Sequence, residues 1–113
     1  MQITSEGERP LTVINVFRVV PEQQPRLIEL LTQATEATVR HVPGFLGAAL
    51  HRGLDGTQVT MYAQWRSHED YARMRSRPDS SPFLAEALRF STFEPGLYEV
   101  AAVFAPATGG SPA

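Results

Sequence analysis

The chain has 113 residues, 42% of them hydrophobic, and a formal charge of -2, which fits one globular domain with its own core and offers no basic footprint for nucleic acid. It contains no cysteine, so disulfides, thiolate nucleophiles and Cys-ligated metals are excluded. No apolar run approaches the roughly eighteen residues of a membrane span and the start lacks a basic-then-apolar signal pattern, so the expected location is the cytoplasm.

Residues 1–10 are polar and mixed, an expected flexible N-terminus. Leu11 to Val20 (LTVINVFRVV) is β-branched and nearly continuously apolar, which predicts a strand buried on much of both faces, with Asn15 as its exception. Pro21 and Pro25 mark a turn and a helix start. Leu27, Ile28, Leu30, Leu31, Ala34, Ala37 and Val42 then recur at helical spacing, predicting a helix to about His41 that Pro43-Gly44 ends. Phe45 to Arg52 (FLGAALHR) reads as a second strand whose glycine and alanines leave space over one face, and Asp55-Gly56 as a hairpin turn.

Thr57 to Tyr71 (TQVTMYAQWRSHEDY) is the stretch around which the rest is organised. Thr57, Val59, Met61, Ala63 and Trp65 alternate with Gln58, Thr60, Tyr62, Gln64 and Arg66, the period of a strand. Ser67 to Asp70 fits the S-x-x-[DE] pattern, in which the serine oxygen takes an orphan N–H and the acid faces the positive helix end. The sole tryptophan therefore sits at the end of a strand, one helical turn before Tyr71. Both can look into a space between sheet and helix.

Pro78-Asp79-Ser80 breaks the chain and Ser81-Pro82 starts a short helix carrying Phe83, Leu84, Ala87 and Leu88. Pro95-Gly96 reads as a turn, Leu97 to Phe104 as the last strand, and residues 106–113 as a disordered Gly/Ser/Pro tail. The order β, α, β, β, α, α, β over residues 11–105 predicts an α+β ferredoxin-like sandwich, an antiparallel four-stranded sheet with helices on one face. The other face is expected to be covered by a second copy as a dimeric α+β barrel, with Tyr62 and Gln64 in the interface.

The Val42-Pro43-Gly44-Phe45 turn, His51, Asp55-Gly56-Thr57 and Tyr62-Ala63-Gln64-Trp65, taken with the element order, resemble the antibiotic biosynthesis monooxygenase family, and most of all its small quinone-forming members that oxidise aromatic polyketide anthrones. The resemblance spans residues 11–105. It implies a homodimer that oxidises a small aromatic substrate with molecular oxygen and without flavin, haem or metal, so no cofactor. Trp65 matches the family's tryptophan, Tyr71 its helix tyrosine and His51 its strand histidine. Met61 stands where anthrone oxidases carry an asparagine, and the pocket arginine has Arg73, Arg75 or Arg77 as candidates, with Arg73 the expected one. Haem-degrading relatives carry a first-strand asparagine at the distance of Asn15, but they also need a histidine on the segment after the tryptophan, and here His68 lies in the first helical turn, too early, and no histidine follows it.

The expected catalytic residues are thus Trp65, Asn15, Tyr71 and His51, with Met61 and Arg73 binding substrate. A histidine titrates near neutral pH and suits a proton acceptor for a phenol. Each residue has a plainer reading too: Trp65 as core, Tyr71 as helix-to-sheet packing, Asn15 bonded to a loop or a partner, His51 on the surface, Met61 as packing, the arginines as a solvated helix face. His41 and His68 read as surface. A non-catalytic ligand-binding accessory protein of a biosynthetic cluster, and a polyketide cyclase or isomerase, are the competing functions.

Overall fold

The computed structural model describes residues 10–76 and 81–107. The expected flexible start (1–9), Arg77, the Pro78-Asp79-Ser80 break and the tail from residue 108 lie outside the described residues. Four strands run β1 (Leu11–Arg18), β2 (Phe45–Arg52), β3 (Gln58–Trp65) and β4 (Thr92–Glu99), with α1 (Gln24–Ala37), α2 (His68–Arg75) and α3 (Pro82–Ala87) between them. The sheet order is β2-β3-β1-β4 and every neighbouring pair is antiparallel. This is the split βαβ arrangement expected, because α1 carries the chain from β1 over β3 to β2. No described helix is long and apolar enough to cross a membrane.

Three boundaries differ from expectation, each for a local reason. β1 stops at Arg18 because Pro21 opens a 3-10 turn. α1 stops at Ala37, and the β-branched pair Thr38-Val39 passes into a second 3-10 turn, Val39–His41. β4 is the largest correction: it occupies Thr92–Glu99 rather than residues 97–104, so Pro95-Gly96 lies inside a strand. As an edge strand paired only with β1, β4 tolerates a residue that cannot donate a ladder bond. Beyond Glu99 its partner has run out, since Glu99 already lies across from Leu11.

Strand alternation sorts the side chains. Val13, Phe17, Val59, Ala63 and Trp65 face the helices and are buried, and Leu27, Leu30, Leu31 and Ala34 of α1 pack onto them. Each fully buried leucine contributes about 1.5–3 kcal/mol relative to exposure. The core falls into two clusters, one around Phe17, Val59 and Leu27 and the other around Val13, Trp65 and Tyr71. Asn15 and Met61 lie across from each other in the register, between those clusters. On the other face Thr12 and Gln64 are buried within the single chain, with a long Gln64–Thr12 side-chain hydrogen bond of 3.5 Å.

Two polar clamps hold the frame. The Gln24 amide donates to the carbonyls of Gly53 (2.9 Å) and Gln58 (3.0 Å), tying the start of α1 to the β2–β3 hairpin. At the other end, the Ser67 oxygen accepts the Asp70 N–H (3.1 Å) while the Asp70 carboxylate takes Arg66 (2.8 Å), Arg73 (2.8 Å) and the Ser67 hydroxyl (2.9 Å). The Arg66 guanidinium leads the interactions that hold the Asp70 carboxyl down at about 2, against an ordinary 3.8. Gly44 closes this clamp. Its φ is +95°, and a Cβ there would meet Asp70 side-chain atoms at 2.5 Å, so the turn before β2 can seat against α2 only as glycine.

Candidate functional site

Between the two core clusters lies an inner cavity of about 130 Å³. Trp65, at the end of β3, is 1% exposed yet forms part of its wall. Its indole meets Phe45 edge-on (centroids 5.4 Å apart, 73°) and Tyr71 likewise (5.8 Å, 63°). The capped first turn of α2 fixes the second of these contacts, because Ser67 and Asp70 set where the helix starts and Tyr71 follows directly. Flat aromatic edges around an apolar hollow suit the face of an aromatic ring.

Asn15 joins Thr35 and Arg75 as a polar residue of that wall. Its Oδ1 is buried and has no hydrogen-bond partner among the described residues. An acceptor left in that state costs about 1–3 kcal/mol, so a native chain that keeps one asks for an explanation. A ligand hydroxyl donating into the cavity supplies one. Across the strand pair stands Met61, an apolar side chain on the same wall.

The inner cavity adjoins a larger outer cleft of about 650 Å³ between α2 and β4, lined by His68, Tyr71, Ala72, Arg75, Ser76, Pro95 and Leu97. Tyr71 and Arg75 belong to both walls. The volumes divide the work: a cavity of about 150 Å³ holds a single benzene ring, whereas ligand sites span about 300–1,000 Å³. A polycyclic ligand thus fits with one ring inside and the rest in the outer cleft.

The structure brings together Trp65, Asn15, Tyr71 and Met61, four of the six residues singled out from sequence. It leaves His51 and Arg73 elsewhere. His51 lies across from Thr60, on the sheet face away from the helices, and is exposed. The cause is a β-bulge between Phe45 and Gly47: Phe45 pairs with Trp65, but Gly47 already pairs with Gln64, so one extra residue reverses the alternation along the rest of β2. Arg73 points outward and is held by Asp70 (2.8 Å) and Glu69 (3.7 Å).

Sequence reasoning held Arg75 only as one of three candidate arginines, behind Arg73, and did not single out His68 for the site. Both share the Tyr71 face of α2, Arg75 one turn after it and His68 one turn before, and that i, i+4 and i, i+3 spacing was the available signal. Among the described residues Arg75 has no carboxylate partner, unlike Arg66 and Arg73, both of which pair with Asp70. No group of three or more His, Cys, Asp or Glu able to hold a metal occurs among the described residues.

Comparison with known proteins agrees with this fold. Residues 10–86 match the profile of a family described as antibiotic biosynthesis monooxygenase. The chain is 48% identical over 71 residues to tetracenomycin-F1 monooxygenase of Streptomyces glaucescens, a match covering 63% of each protein. Among solved structures it is similar to a monooxygenase from the gene ActVA-Orf6 of Streptomyces coelicolor in complex with nanaomycin D (30% identity, TM-score 0.75, 90% of this chain and 96% of that one). It is also similar to SnoaB, a cofactor-independent oxygenase from Streptomyces nogalater (25% identity, TM-score 0.72, 83% and 95%).

Proposed function

The chain belongs to the antibiotic biosynthesis monooxygenase family, and on that premise we propose that it oxidises a polycyclic aromatic polyketide, an anthrone-type phenol, to the quinone with molecular oxygen and no cofactor. The observation that carries this reading is the unpartnered Asn15 oxygen in an aromatic-walled cavity of one-ring size. The substrate's reacting ring lies against Trp65 and Tyr71, with a phenolic hydroxyl donating to Asn15. Where relatives have an amide on the tryptophan strand, Met61 gives an apolar wall, and Asn15 directly across supplies the amide instead.

The chemistry is that of an electron-rich ring. Loss of a phenolic proton to water, regained once the new carbonyl has formed, raises the electron density that oxygen must take up. The ring CH2 then gives four electrons to O2: one oxygen atom becomes the new carbonyl, and the other leaves as water with the two hydrogens. The protein's part is to bind, orient and keep bulk water off the ring. Arg75 in the outer cleft offers its charge to an acidic substituent at the substrate's far end, the task first assigned to Arg73. A second copy covering Ile14, Val16 and Tyr62 on the open sheet face completes the reading as a homodimer.

The test is oxygen uptake by the purified protein given a model anthrone in air. Uptake above buffer that falls in Trp65→Phe is the expected outcome; a rate equal to buffer in both overturns the proposal. One feature favours a non-catalytic ligand-binding role instead, namely Met61 in the amide position, and tight anthrone binding without uptake is its signature. Product formed equally well without oxygen would indicate a cyclase or isomerase.

A further inference from the structure

A third cavity, of about 140 Å³, opens on the opposite flank between α1 and β2, lined by Thr32, Thr35, Glu36, Ala48, Leu50 and Met61. Three of these, Thr35, Ala48 and Met61, also line the inner cavity, so their side chains are what stands between the two. The opening exists because β2 is an edge strand carrying Gly47-Ala48-Ala49, and the bulge turns Ala48 under α1. Only a methyl group fills that position.

We propose that this flank is the route by which molecular oxygen reaches the aromatic site, separate from the substrate's own mouth. The inference rests on the oxygenase reading above. A polycyclic substrate with one ring inside and its remainder in the outer cleft closes the way past Tyr71 and Arg75, and a second reactant then needs another path. The side cavity suits a small neutral molecule. Ala48, Leu50 and Met61 give it an apolar wall in which oxygen dissolves better than in water, and its volume is far below what a multi-ring substrate requires. The exposed Glu36 at its rim repels an anionic phenolate by like charge while leaving neutral oxygen unaffected.

Trp65 is the sole tryptophan and sits in the inner wall, so collisional quenching of its fluorescence lifetime by dissolved oxygen reads oxygen arrival without any turnover, measured with a redox-inert, non-quenching polycyclic ligand in the outer cleft so that the substrate's mouth is closed. Three variants decide the matter. Ala48→Leu narrows the passage, Thr32→Phe plugs its outer end from an exposed helix position that the fold tolerates, and Ala72→Phe crowds the substrate's cleft instead. The expected result is a severalfold fall in the quenching constant for both flank variants with little change in Ala72→Phe. Undiminished quenching in Thr32→Phe and in folded Ala48→Leu overturns the proposal, and so does an equal or larger fall in Ala72→Phe. Because quenching needs no reaction, the route can fail while anthrone-dependent oxygen uptake persists, and uptake can fail while the route stands. In the working enzyme the apparent KM for oxygen rises in Thr32→Phe.

Discussion

Replacing Asn15 with leucine separates function from stability at one atom. Leucine has the branched shape of asparagine, carries no polar atom and is larger, with the adjoining cavity to take the added volume, so Asn15→Leu removes a buried acceptor that has no partner among the described residues without opening a void. The penalty it relieves is about 1–3 kcal/mol. For a domain of this size each kcal/mol moves the midpoint by about 4–8 °C, so thermal unfolding followed by Trp65 fluorescence should show a Tm at least that much higher. Activity goes the other way. If the amide oxygen accepts the substrate's phenolic hydroxyl and so orients the reacting ring, its loss lowers anthrone-dependent oxygen uptake by about 100-fold, the usual effect of misplacing a reacting group. Stability gained together with activity lost is the mark of a polar group kept for a ligand. A lowered Tm with uptake intact would refute the reasoning, because it would mean that the amide serves the fold.

The remaining predictions concern the positions that differ most from their appearance in sequence. Asp70 has its folded pKa lowered from 3.8 to about 2, so its stabilising contribution is complete above about pH 4 and is lost as pH falls through 2. Asp70→Asn should therefore melt lower than wild type at pH 7, with the gap between their Tm values closing across that acid window; a gap independent of pH contradicts the assignment. His51→Ala should leave oxygen uptake and its pH profile unchanged, because the imidazole is on the sheet face away from the cavity. A tenfold loss on that substitution would require the chemistry to be on the other face.

Much of this molecule was legible in one dimension because the signals were local. Alternation from Gln58 to Trp65 and the Ser67-x-x-Asp70 cap are short-range patterns, and both elements formed where the pattern put them. The capping serine does bind the Asp70 N–H, although its acidic partner turned out to bind two arginines as well as the serine hydroxyl. The C-terminal strand was misread because Pro95-Gly96 carries a strong local turn signal. Only its place at the sheet edge makes a proline acceptable there.

The sequence by itself determined the helix-facing set of β3, because two residues per repeat along an unbroken strand fixes every side chain once one is known, and so it brought Met61 and Trp65 to a single face, whereas β1 is apolar on both sides and only its register against β3 placed Asn15 across from Met61. It could not determine the face of His51. Along an unbroken β2, Phe45 and His51 share a face, and the histidine would have looked into the cavity beside Trp65. The tertiary structure inserts one unpaired residue between Phe45 and Gly47, against a partner strand that lies far off in sequence, and thereby exchanges His51 for Ala48 and Leu50 beneath α1. A bulge is decided by how two strands meet rather than by either strand alone, which is why the face of that histidine had to wait for the fold.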